Sequence, residues 1–131
     1  ETEGYDLEKL NQLLLKAENY GIRLLSGSNS GDPFMIPGIS LLKELKHFEN
    51  IGIDKYEILK SSTYNSQLFL NNIDHYGTIE EGKRGNLLIT NNDPLKDMKN
   101  LRDIFGVVYH GKFIDSELRG KILEMLSTGI V

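Results

Sequence analysis

The chain has 131 residues, a formal net charge of −4, a hydrophobic share of 39% and a charged share of 26%, the composition of one soluble globular domain. No apolar run approaches the roughly 20 residues that span a bilayer, and no cluster of Lys and Arg argues for nucleic acid as a partner. Cysteine is absent, which excludes disulfides, thiolate zinc sites and thiol redox chemistry. The first six residues are acidic and polar where a signal peptide would be basic and then apolar, so the expected location is the cytoplasm. The chain begins without Met, so it is read as a processed product or as part of something longer.

In chain order, the first expected element is a helix from about Leu7 to Tyr20. Leu7, Leu10, Leu14 and Ala17 follow helical spacing, Asp6 is placed to cap the first turn, and Gly21 ends it. The apolar run Ile22 to Leu25 then reads as a short strand covered on both faces. It delivers a turn-rich loop, Gly27, Ser28, Asn29, Ser30, Gly31 and Asp32, at its C-terminal end. Open α/β sheets and α/β barrels bind ligands at such ends, so this loop organises the reading of the whole chain. Pro33 and Pro37 punctuate an irregular crossing. A second helix is expected from about Ser40 to Asn50, with Leu41, Leu42, Leu45 and Phe48 on one face and Gly52 as its stop. Its polar face is assigned Lys43, Glu44, Lys46, His47 and Glu49.

Asp54 with Glu57 three residues on is a capping-box-like start for a third helix, Lys55 to about Ser61, and a shorter helical run follows through Leu70. Composition changes near Asn71, which divides the chain into residues 1–70 and a β-rich segment, 71–131, with a terminal helix. Turns at Glu81-Gly82-Lys83, Asn91-Asn92-Asp93-Pro94 and His110-Gly111 separate the apolar runs Leu87 to Ile89 and Ile104 to Tyr109. Tyr109-His110-Gly111-Lys112 reads as a two-residue hairpin. The last helix runs from about Ser116 to Leu126. The fold class expected is α+β.

The order GIRLLSGSNSGDPF, ISLLKELKHFENIG, IDKYEILKSSTYNSQLFL, YGTIEEGKRGNLLI, NNDPL and VVYHGKFI resembles the C-terminal part of the amidohydrolase superfamily, nearest to its imidazolonepropionase-like and prolidase-like branch. The most specific stretch is Gly77 to Ile89, similar to the family's G-x-I-x-x-G-x-x-A-D-L-V strand pair, with Gly85-Asn86 where Ala-Asp is usual. The resemblance implies a fragment of a metal-dependent (β/α)8 barrel, its last helix and strand, followed by helices and a share of a small β-domain. It also implies hydrolysis of amide or cyclic C–N bonds, with a divalent, zinc-like metal in the parent protein.

The same resemblance places Asn29 where the family has an Asp that contacts the metal and handles a proton. An amide cannot act as a general base. Ser28, Ser30 and Asp32 are the accompanying candidates for contact with a small-molecule substrate, and backbone N–H groups in this loop are suited to an anion. His47, His75 and His110 match no metal-ligand spacing, and catalytic zinc takes about three converging protein ligands, so no metal ligand is assigned within this chain. Two readings follow: the C-terminal segment of an amidohydrolase-like protein, inactive alone, or a non-catalytic pseudoenzyme or assembly module. The open edges of the Ile22 to Leu25 strand and of the later strands predict either one small mixed sheet, or a homodimer, or pairing with upstream barrel strands.

Overall fold

The computed structural model describes residues 6–30, 33 and 35–128. Helix α1 spans Leu7–Asn19, and the Asp6 carboxylate accepts from the Lys9 N–H at 3.3 Å as its N-cap. Gly21, with φ of 72°, closes it: the Gly21 N–H donates to Glu18 O at 2.8 Å and the Ile22 N–H to Ala17 O at 2.9 Å, the paired bonds of a Schellman motif. Helix α2, Ile39–Asn50, ends the same way at Gly52, with Gly52 N–H to Glu49 O and Ile53 N–H to Phe48 O, both 3.1 Å. Asp54 caps α3, Lys55–Ser62, by accepting from the Tyr56 and Glu57 N–H groups, and α4 covers Tyr64–Phe69. These starts and stops are the ones the sequence signals.

The core sits among α2, α3 and a 3-10 helix, Met98–Arg102, where the sequence suggested only turns. Leu45, Phe48, Ile53, Ile58, Met98 and Leu101 are buried together, with Leu14, Leu15 and Leu24 packed against them. Met98 and Leu101 stand three apart and so share one face of a 3-10 helix. Asp97 caps that helix through the Lys99 N–H at 2.9 Å and also reaches back to Lys46 of α2 at 3.2 Å. Hydrogen bonds from the Lys99 N–H and Lys99 ammonium, with help from Lys46, hold the Asp97 carboxyl down at about 2 from an ordinary 3.8.

The sheet is antiparallel, in the order β1 (Leu87–Thr90), β2 (Ile104–Tyr109), β3 (Lys112–Ile114). Leu87 faces Val108 and Ile89 faces Gly106, the register slips between Ile89 and Thr90, and Tyr109 faces Lys112 across the expected hairpin. His110 and Gly111, with φ of 49° and 76°, both take the left-handed conformation that a two-residue primed turn demands. Asn86 steadies that turn by accepting from the His110 N–H at 2.8 Å, while Gly85 O accepts from the Gly111 N–H at 3.0 Å. Helix α5, Ser116–Thr128, follows; the Arg119 guanidinium donates to Ile104 O at 3.0 Å and ties it to β2.

Two expectations are corrected here. Residues 22–25 are extended but carry no strand ladder, and they do not join the sheet, which is therefore antiparallel and not mixed. Ile22 is 60% exposed and Leu25 41%, so the run is covered on one side only, the side of Leu24. A strand exists only by pairing, and the polar groups that meet this segment come from helices. Likewise, of Gly77 to Ile89 only Leu87 to Ile89 lie in a strand, β1. The earlier part is a loop in which Gly77, with φ of 94°, fits against Gln67 and Ile73 so closely that a Cβ would stand 3.0 to 3.2 Å from them.

Candidate functional site

The segment from Ile22 to Ser30 is positioned from behind by three contacts. Asn65 donates its side-chain amide to Leu24 O at 3.0 Å, the Ser26 N–H donates to Ser61 O at 3.3 Å, and the Gly27 N–H donates to the Glu44 carboxylate at 2.9 Å. Ser61 and Asn65 are almost wholly buried, and both lie at the α3–α4 junction, so a rigid pair of helix turns sets the height of the segment. The Ser26 hydroxyl and the Asn65 side-chain oxygen are buried without a hydrogen-bond partner, so this backing carries spare polar capacity.

Of the four residues singled out from sequence, the structure brings two together: the Ser28 and Ser30 hydroxyls are 2.6 Å apart. Asn29 stands between them, exposed, with φ of 45°. Asn and Asp both tolerate this left-handed conformation better than most residues. Asp32 lies outside the described residues. Two surface grooves, one between α2 and the 3-10 helix and one beside Arg23 and Asn65, include none of Ser28, Asn29 and Ser30.

Glu44 is the residue that sequence reasoning misplaced. It was assigned to the polar face of α2, yet it is half-buried and holds the loop. The signal was available: Glu44 falls three residues after Leu41 and four before Phe48, on the apolar stripe itself. Burial pushes its carboxyl above the ordinary 4.5, partly opposed by the Gly27 N–H and the nearby His47. Ser61 and Asn65 carried no such signal, because the groups they meet lie 35 and 41 residues away in the chain.

The three histidines stay apart. His47 Nε2 bonds the Asn11 side-chain oxygen at 2.9 Å, His75 accepts through its backbone oxygen from the Arg84 N–H at 3.0 Å, and His110 occupies the hairpin turn. Among the described residues no three His, Cys, Asp or Glu side chains converge in a way that could hold a metal ion.

The sequence pattern of the amidohydrolase family matches residues 8–116, and the chain belongs to that family. The family is generally metal-dependent. No curated protein sequence matches the chain. Among solved structures it is similar to a molinate hydrolase, with a TM-score of 0.77 and 24% identity over 92% of this chain and 28% of that one. It is also similar to a Xaa-Pro dipeptidase with methionine bound in its active site, with a TM-score of 0.70 and 23% identity over 81% of this chain and 25% of that one. A protein from Bifidobacterium longum assigned as a prolidase gives a TM-score of 0.67 and 23% identity over 85% and 29% of the two chains. The chain thus spans between a quarter and a third of the length of these structures, and the likeness is one of fold. No helix among the described residues is long and apolar enough to cross a membrane.

Proposed function

We propose that this chain is the C-terminal segment of an amidohydrolase-like protein that hydrolyses amide or cyclic C–N bonds, supplying the last strand of a barrel, a wall of its pocket and part of a small β-domain. The observation that carries this reading is the extended segment 22–25. It is backed by helices on one side, unpaired by any strand among the described residues, and ends in the Ser28-Asn29-Ser30 loop. Unsatisfied strand edges seek partners, and upstream barrel strands or a second copy of the chain would complete this one. Ser28, Ser30 and Asp32 then face a small-molecule substrate. The metal is then held by residues outside this set.

Asn29 stands at the position of the family acid, by the resemblance of its loop. Because its amide cannot take a proton from water, the chain by itself does not catalyse the reaction. That amide also favours the second reading, a non-catalytic assembly module that keeps the fold. Elemental analysis of the dialysed chain beside an Asn29→Asp variant tests the proposal, since Asp keeps the left-handed backbone. The expected result is no stoichiometric metal in either protein, because on this reading the other ligands of the family site lie outside this chain. Stoichiometric zinc, manganese or iron in the unaltered chain would overturn it.

A further inference from the structure

A groove of about 410 Å³ lies between α2 and the 3-10 helix, on a part of the surface separate from the 26–30 loop. The chain as a whole is acidic, with 15 Lys and Arg against 19 Asp and Glu. Even so, Lys43, Lys46, Lys99 and Arg102 line this one opening together with His47, and no acidic residue lines it. Two carboxylates stand behind it. Lys46 pairs with Glu49 at 2.6 Å and Asp97 at 3.2 Å, and Lys99 pairs with Asp97 at 3.0 Å. Lys43 and Arg102 make no side-chain hydrogen bond or ion pair among the described residues. Four cations therefore line one opening with two counter-charges among the described residues, and the surplus belongs to Lys43 and Arg102.

Like charges gathered around one opening repel, and an anion seated there removes that repulsion. The guanidinium of Arg102 offers a planar fork that matches two phosphoryl oxygens, and Lys43 adds a mobile point charge. The volume is at the lower end of small-molecule sites, roughly 300–1,000 Å³, and Leu42 contributes an apolar wall. We propose that this groove binds a small phosphorylated molecule, with Lys43 and Arg102 holding the phosphoryl group and Lys46 and Lys99 setting the positive field around it. The shared chemistry is the phosphoryl group, free or borne on a small organic carrier.

The test is an NMR titration of the full chain, at fixed ionic strength, with inorganic phosphate, with a sugar monophosphate and with sulfate. Saturable shifts are expected at the Lys43, His47, Lys99 and Arg102 amides. The sugar phosphate should bind at least as tightly as phosphate, and both more tightly than sulfate. A Lys43→Gln/Arg102→Gln variant should lose roughly tenfold or more in affinity. The charge-keeping variant Lys43→Arg should retain binding, as should Lys16→Gln, whose side chain is exposed on α1. Shifts that never saturate, or that sulfate reproduces, would mean an adventitious ion only and overturn the proposal. Tighter binding of a glutamate-rich peptide than of the sugar phosphate would overturn it too, in favour of a protein-docking surface.

Discussion

The helical region around Ile58 and the sheet with α5 were built from equally apolar sequences, and only the first found something to bury them against. Among the described residues, the six buried hydrophobic side chains belong to α2, α3, the turn between them or the 3-10 helix. In α5, Leu118, Ile122, Leu123, Met125 and Leu126 are all exposed, and Phe105, Tyr109 and Phe113 of the sheet are more than half exposed. Amphipathic patterning states which face can be buried; a neighbouring surface of matching shape decides whether it is. The consequence is a chain whose stability is concentrated in these few elements.

The sharpest way to break that comparison is to truncate one residue on each side. Ile58 is fully buried, and Ile58→Ala should lower the unfolding free energy by about 2–5 kcal/mol, read from urea denaturation. Leu123→Ala in α5 should move it by no more than about 0.5 kcal/mol. Equal losses would show that α5 is packed in solution and that the two regions do not differ. A smaller effect is expected within the sheet. Gly106 is buried under the Phe113 ring, whose Cζ would lie 2.6 Å from an added Cβ. Gly106→Ala should therefore swing Phe113 away from Phe105, now 6.2 Å centroid to centroid, and cost about 1–3 kcal/mol. A change in aromatic ring-current shifts at Phe105 without loss of the β1–β2 amide protections would locate the effect.

The smallest effects are those of pH, and they separate the two carboxylates that brace α2. The carboxyl of Asp97 is depressed on folding, so its contribution is present above 3.8 and is lost as pH falls toward about 2. Glu44 is raised on folding, so the sign reverses: its contribution is complete below 4.5 and is lost as pH rises through its higher folded value. Melting curves between these limits should show Asp97→Asn destabilised at neutral pH and converging with the unaltered chain in acid. Glu44→Gln, which keeps an acceptor for the Gly27 N–H, should gain relative to the unaltered chain as pH rises. Parallel curves for all three proteins would mean that neither carboxyl differs between the folded and unfolded chain.

Much of this protein was legible from the sequence, and the legible part is local. Asp6 and Asp54 cap their helices, Gly21 and Gly52 close theirs, and His110-Gly111 turns the hairpin. Each of these is decided by groups within about six residues of one another, whose geometry the sequence states directly. Only the tertiary structure decided that Leu24 and Ser26 would be held by Asn65 and Ser61 and not by a strand, that Glu44 would leave the polar face to hold Gly27, and that Met98 and Leu101 would wind into a 3-10 helix and enter the core. Those outcomes join residues 17 to more than 40 positions apart. They turn on which surfaces are left to pair once the helices have packed, a competition that no stretch of local sequence records.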